Sequence, residues 1–133
     1  MTRALAVIIV VLAAIDGLVH LGLDVFVLHG IFSHPPLTIL FLLNFLGYAA
    51  LIIAFLALRS SSLSLRRLVD VLLIVYPLVT FAAWIYFTGG KANPLGLADI
   101  SKPAEVLLAV AAILHLTQLG HEEAPGMSRS HAT

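Results

Sequence analysis

Hydrophobic residues fall into four long runs, separated by short breaks that contain polar residues, proline or glycine. The runs cover approximately residues 4–28, 37–58, 68–88 and 101–119. A helix that crosses a bilayer needs about 20 mainly apolar residues. The runs lack the apolar–polar alternation of transmembrane barrel strands. The pattern therefore predicts an all-α, polytopic membrane protein with four transmembrane helices.

The breaks between the runs carry residues that start or end helices. Pro35 and Pro36 precede the second run, and a proline is well tolerated in the first turn of a helix. Gly89 and Gly90 follow the third run, where glycine ends helices. Ser101 stands at the start of the fourth run and is expected to cap that helix.

Short connections between long helices favour antiparallel neighbours. We therefore expect an antiparallel, up-down-up-down four-helix transmembrane bundle. It would form a single domain over residues 1–120, and residues 121–133 would form a polar cytoplasmic tail.

The positively charged residues are distributed unequally between the two ends of this bundle. Five arginines fall on the side of the termini and the middle loop, and two lysines fall on the other side. Because cytoplasmic segments carry an excess of Lys and Arg, both termini are expected in the cytoplasm and the protein in the cell membrane. The arginines are Arg3, Arg59, Arg66, Arg67 and Arg129, and the lysines are Lys91 and Lys102.

Composition supports this prediction and excludes several function classes. Hydrophobic residues make up 61% of the chain and charged residues 11%, with a mean hydropathy of +1.09. A soluble domain has about 25% charged residues. The net charge of zero offers no basic field for nucleic acid, so the lipid bilayer is the expected partner. The absence of cysteine excludes disulfides, iron–sulfur clusters and a thiolate nucleophile.

Ionisable residues inside the runs are the main candidates for function, because such groups are costly in hydrocarbon and turn towards protein or water. Asp16, His20 and Asp24 recur every four residues, which places them on one face of the first helix. Ala13 and Gly17 share that face and allow another helix to come close. We expect this face to pack against the fourth helix, with Asp16 and His20 as a buried pair.

Polar residues on the other three runs complete a predicted network that is open towards the outer face. Depths measured from the helical rise place Asp16, Tyr48, Tyr76 and His115 in one layer near the middle of the membrane. Asp70 is expected to form a solvated pair near Arg66 and Arg67, and Lys102 to pair with Glu105 across one turn. The predicted network consists of Asp16, His20, Asp24, Asn44, Tyr48, Tyr76, Thr80, Glu105 and His115.

These residues leave several functions open. The first hypothesis is an accessory subunit, or a helper that binds a larger membrane complex or a second copy of the chain. The second is a haem b protein in which His20 and His115 are the axial ligands, since imidazoles on facing helices hold such haems. The third is a component that transports protons, cations or small solutes along the polar column.

An intramembrane enzyme is the least favoured hypothesis. Asp16 and His20 could act as an acid–base pair, but the sequence contains neither H-E-x-x-H nor G-x-S-x-G. The spacing of Asp16, His20 and Asp24 is a weak pattern for a metal site. We therefore expect no catalytic residues, no metal and no cofactor other than the haem of the second hypothesis.

Overall fold

The computed structural model describes residues 3–27, 35–90 and 97–123, and the described parts are almost wholly helical. No strand occurs within these ranges, which confirms the all-α prediction. The elements are α1 (Arg3–Gly22), continued by a π-helix (Leu23–Val27), α2 (Pro35–Ala57), a 3₁₀ turn (Leu58–Ser60), α3 (Leu63–Thr88) and α4 (Leu97–Glu123).

Four helical stretches, each including most of one α-helix, are long and apolar enough to cross a membrane. These stretches are Arg3–Phe26, Thr38–Ser60, Leu63–Phe87 and Ile100–His121. They coincide with the four hydrophobic runs of the sequence, because a long apolar run favours the helix, which satisfies its own backbone polar groups.

The end of α3 follows its glycine signal. Gly89 adopts the left-handed conformation with φ 63°, and its N–H donates a hydrogen bond of 2.9 Å to the carbonyl of Ile85. Glycine reaches this conformation without steric penalty, which is why it ends helices. The prediction of a stop at this point is confirmed.

Two helices begin earlier than hydropathy predicted. Helix α3 starts at Leu63 and α4 at Leu97, so Ser101 lies inside α4 and the prediction that it caps the helix is wrong. Helix α4 also continues through Glu123, into the predicted tail. Polar residues at both ends extend these helices because backbone hydrogen bonding does not require apolar side chains.

All four helices contribute to the core, and small side chains allow α1 and α4 to come close. Ala6 and Ala13 on α1 and Ala111 and Ala112 on α4 are all buried in one cluster. Small residues at such contacts let helix backbones approach within van der Waals distance. The larger buried members of the cluster are Ile9, Tyr48, Phe55, Val69, Leu73 and Leu108.

The distribution of polar and apolar surface is the reverse of that in a soluble protein. Phe26 is 72% exposed and Phe87 70% exposed, whereas Asp16 is 0% and Glu105 1% exposed. Large exposed apolar surfaces mark contact with membrane or protein. The polar groups enclosed by the helices are therefore the candidates for a functional site.

Candidate functional site between the helices

Asp16 joins α1 to α4. Its Oδ1 atom accepts a hydrogen bond of 2.6 Å from the Ser101 hydroxyl, and both side chains are buried. The neighbouring residues of the predicted stripe, Ala13, Gly17 and His20, are buried as well. The expected packing of this α1 face against α4 is thus observed, although Ser101 was not among the predicted site residues.

Tyr48 brings α2 to the same place. A Cβ atom added at Gly17 would lie 3.3 Å from the Tyr48 Cβ, so the glycine permits the close approach of α1 and α2. Tyr48 is fully buried, and its hydroxyl lies 3.2 Å from the Thr80 hydroxyl on α3. Tyr48 also lies near enough to Asp16 for an electrostatic interaction between the two side chains.

Glu105 connects α3 and α4 beside this tyrosine. The Thr80 Oγ1 atom lies 2.9 Å from Oε1 of Glu105 and 2.9 Å from the Pro77 carbonyl oxygen, so either can accept its proton. The Lys102 ammonium donates to the same Oε1 at 2.5 Å and lies 5.8 Å from the centre of the Trp84 ring. The predicted pairing of Lys102 with Glu105 is confirmed.

These contacts define a group that we name the Asp16 cluster. Each of the four helices contributes to it, and hydrogen bonds or electrostatic contacts link its members across the helix interfaces. The cluster consists of Asp16, Tyr48, Thr80, Ser101, Lys102 and Glu105.

His20 lies next to the cluster but does not pair with the Asp16 carboxylate. Its Nδ1 atom lies 2.8 Å from the backbone carbonyl of Asp16, and its ring packs near Phe41 and Tyr48. The predicted side-chain pair of Asp16 and His20 is therefore wrong. The imidazole reaches the carbonyl one turn back on its own helix, while the carboxylate turns across to α4. Asp24 is buried in the π-helix beyond His20.

Tyr76 and Asn44 lie beside Tyr48. The Tyr76 hydroxyl donates to the Asn44 backbone carbonyl at 3.4 Å, and the Tyr76 ring meets that of Tyr48 edge to face at 5.0 Å. Gly47 makes room for this arrangement, because a Cβ there would overlap the Tyr76 hydroxyl. The structure thus brings both predicted residues to the edge of the Asp16 cluster.

A second buried polar contact, the Asp70 pair, consists of Asp70 and His115. The imidazole Nδ1 lies 2.6 Å from Oδ2 of Asp70, and Asp70 is fully buried. The pair borders a cavity of about 20 Å³ that Phe55, Arg59 and Arg66 also line. The prediction that Asp70 is solvated is wrong, because the helix turns this side chain towards α4 rather than towards water.

His115 pairs with Asp70 and lies away from the other predicted residues. Asp16 meets Ser101, which precedes His115 by about 21 Å along α4. The prediction of one layer containing Asp16 and His115 is therefore wrong. His20 and His115 accordingly contact different aromatic rings of α2, Tyr48 and Phe55 respectively.

A signal for Asp70 did exist in the sequence. Thr80 contacts Glu105, and Asp70 precedes Thr80 by the same number of residues as His115 follows Glu105. Side chains at such equal offsets meet when two helices run in opposite directions. Aligning α3 and α4 on one polar contact would have predicted the second.

Both polar groups contain buried oxygen atoms that have no hydrogen-bond partner among the described residues. Such atoms are few in native proteins, and each calls for an explanation. No group of three or more His, Asp or Glu residues that could hold a metal ion occurs in the described ranges. The unpartnered atoms are Oδ2 of Asp16, Oδ1 of Asp24, Oδ1 of Asn44, Oδ1 of Asp70 and Oε2 of Glu105.

Comparison with known proteins gives a family but no activity. Residues 2–116 match the model of a family described as a family of unknown function, DUF7475. No curated protein and no solved structure matches the chain.

Proposed function

Since this chain belongs to the DUF7475 family, whose description assigns no function, we propose from geometry that it is a small multi-pass membrane protein with an accessory or binding role. The observation that carries the proposal is the Asp16 cluster itself. Asp16 and Glu105 are enclosed by four helices whose outer surfaces are apolar. A bilayer stabilises such a surface, and the helices shield the polar groups from it.

The proposed topology is an antiparallel, up-down-up-down bundle with both termini in the cytoplasm. The contacts of Thr80 with Glu105 and of Asp70 with His115 support opposite directions for α3 and α4. The distribution of arginine and lysine supports the orientation. In this orientation the Asp16 cluster lies in the outer half of the membrane, and the Asp70 pair lies in the cytoplasmic half.

A binding role is favoured over a structural one by the state of the two carboxylates. If the cluster served only to hold the helices together, its polar atoms would be expected to satisfy one another. Asp16 and Glu105 instead each have one oxygen that is hydrogen-bonded and one that is buried without a partner among the described residues. This arrangement is typical of a site that receives a further group.

A transport role has less support. Apolar side chains of three helices are buried between the Asp16 cluster and the Asp70 pair, namely Ile9, Leu73 and Leu108. A continuous polar path would need polar groups or water at that level. The two polar groups therefore support two separate sites rather than one column through the membrane.

The partner in this proposal is a larger membrane complex or a second copy of the chain. In the most apolar part of α2, 11% of the residues are buried inside the structure, whereas 44% are buried in the corresponding part of α4. Helix α2 therefore offers the larger apolar face to another helix or to lipid.

Cysteine labelling tests the topology. We expect cysteines introduced at Ser62 and at Ala92 to react with an impermeant reagent from opposite sides of the membrane, with Ala92 accessible from outside. Because Ser62 lies in the short turn before α3, a cysteine there should perturb little. Labelling of the Ser62 variant from outside would contradict the orientation.

Native mass spectrometry tests the binding role. The full chain would be purified from its own membranes in mild detergent and its mass compared with 14.2 kDa. We expect a species that carries a partner subunit, a second copy or a bound ligand. A bare monomer in several mild detergents would contradict the proposed role.

A further inference from the structure

We propose that the Asp16 cluster binds one alkali metal cation between the unpartnered oxygens of Asp16 and Glu105. This inference rests on the proposed binding role and names the ligand class for that site. It follows from the charge of the cluster, from the orientation of its two carboxylates, and from the oxygen atoms around them.

The charge of the cluster is unbalanced by one unit when both carboxylates are ionised. Asp16 and Glu105 supply two negative charges, and Lys102 supplies one positive charge through its contact with Glu105. The side chains are buried inside a bundle whose outer surface is apolar, where an uncompensated charge is costly. One monovalent cation would make the cluster neutral.

In each of the two carboxylates, one oxygen is hydrogen-bonded and the other is not. Ser101 holds Oδ1 of Asp16, and Thr80 and Lys102 hold Oε1 of Glu105. The second oxygens, Oδ2 and Oε2, are buried and have no hydrogen-bond partner among the described residues. The carboxylates are thereby fixed in orientation before any ligand enters, which lowers the entropic cost of binding.

The two carboxylates that carry the unpartnered oxygens lie at the same part of the contact between α1 and α4. Ser101 and Glu105 are one turn apart on the same face of α4, and the Asp16 carboxylate is hydrogen-bonded to Ser101. The two carboxylates are close enough for electrostatic interaction. An ion held between them would contact both carboxylates.

Hydroxyl oxygens near the two carboxylates would supply further ligands, and they are hard ligands like the carboxylate oxygens. The Tyr48 hydroxyl contacts Thr80 and lies near Asp16, and the Ser101 oxygen adjoins Asp16. Hard cations bind carboxylate and hydroxyl oxygen. Only two carboxylates meet here beside an ammonium group, which suits a single positive charge better than a divalent ion.

Asp24 supplies a further carboxylate on the same face of α1. It lies two turns from Asp16 towards the end of α1, in the π-helix, and its Oδ1 atom is also buried without a partner among the described residues. Short π-helices are frequent at functional sites. A second carboxylate on this stripe raises the local concentration of cations at the cluster.

Thermal unfolding of the full chain in detergent tests the proposal. Melting curves would be recorded at constant ionic strength with sodium, potassium or N-methylglucamine chloride. A cation that binds only the folded protein raises its melting temperature. We expect sodium or potassium to raise it in a saturable manner relative to N-methylglucamine, a bulky organic cation.

Matched variants locate the effect. Asp16→Asn and Glu105→Gln should each abolish the dependence on the small cation, whereas Asp70→Asn, which alters an equally buried carboxylate outside the cluster, should retain it. If Asp16→Asn fails to fold, Ser101→Ala keeps both carboxylates and should shift the half-saturating cation concentration upwards.

Three outcomes would overturn the cation site. The first is identical melting in the three salts, and the second is a sodium or potassium effect that survives in both carboxylate variants. The third is a rise in melting temperature on acidification that sodium and potassium do not weaken. That result would mean that a proton, rather than a cation, neutralises the cluster. The titratable and charged groups that face this position are Asp16, Glu105, Lys102, Tyr48 and His20. A partner found by mass spectrometry would leave the accessory role standing in each case.

Discussion

The Nδ1 atom of His115 lies 2.6 Å from Oδ2 of Asp70, so a buried polar pair joins α4 to α3 well away from the Asp16 cluster. Asp70 is fully buried and His115 is 3% exposed. The pair therefore depends on protein partners rather than on water, and removing one member takes a hydrogen bond from the other.

Loss of one member of this pair should destabilise the protein more than loss of both. We expect Asp70→Leu and His115→Leu each to lower the free energy of unfolding by about 1–3 kcal/mol, because each removes the hydrogen bond between two buried polar groups. The double variant should be more stable than the sum of the two losses predicts. Reversible unfolding by a denaturing detergent gives these values, and strict additivity would show that the two side chains do not interact.

The hydrogen bond between Ser101 and Asp16 should contribute to the stability of the bundle. Ser101→Ala removes the donor to Oδ1 of Asp16 and should cost about 1 kcal/mol. Thr117→Ala is a suitable control, since Thr117 is exposed and its one hydroxyl hydrogen bond among the described residues is to the Leu114 carbonyl in its own helix. Equal unfolding free energies for the two variants would argue against the observed α1–α4 contact.

Gly47 should resist substitution because of Tyr76. A Cβ at position 47 would overlap the Tyr76 hydroxyl, so Gly47→Ala should lower the free energy of unfolding by about 1–3 kcal/mol. Combining it with Tyr76→Phe, which removes that hydroxyl, should recover part of the loss. Gly120→Ala serves as control, because nothing lies within 4 Å of its added Cβ. A Gly47→Ala variant as stable as the original protein would show that α2 and α3 are farther apart than in this structure.

Haem binding through His20 and His115 remains a hypothesis with a spectroscopic test. If these residues were the two axial ligands, protein from haem-supplied cells would show a Soret band that His20→Ala and His115→Ala each abolish. The two imidazoles contact different residues of α2, Tyr48 and Phe55, which lie about 10 Å apart along the helix. We therefore expect a colourless preparation, and a Soret band lost in both variants would contradict that expectation.

The helices and their approximate ends were predictable because their causes are local. A long apolar run favours a helix that can pair its own backbone groups, and Gly89 ends α3 through its own conformational freedom. The buried stripe of α1 was predictable for a similar reason, since the spacing of Asp16, His20 and Gly17 assigns them to one face whatever the neighbour is. The starts of α3 and α4 were missed because polar residues can extend a helix beyond its apolar run.

The sequence by itself thus determined the number of helices, their apolar length and the face of α1 that turns inwards. Only the tertiary structure decided the partners across the interfaces, Asp16 with Ser101 and Asp70 with His115. An apolar run presents similar side chains at every turn of its helix. Shifting one helix along its neighbour therefore changes the buried apolar area little. The few polar groups that can satisfy one another select the register, and this selection requires all four helices to be in place.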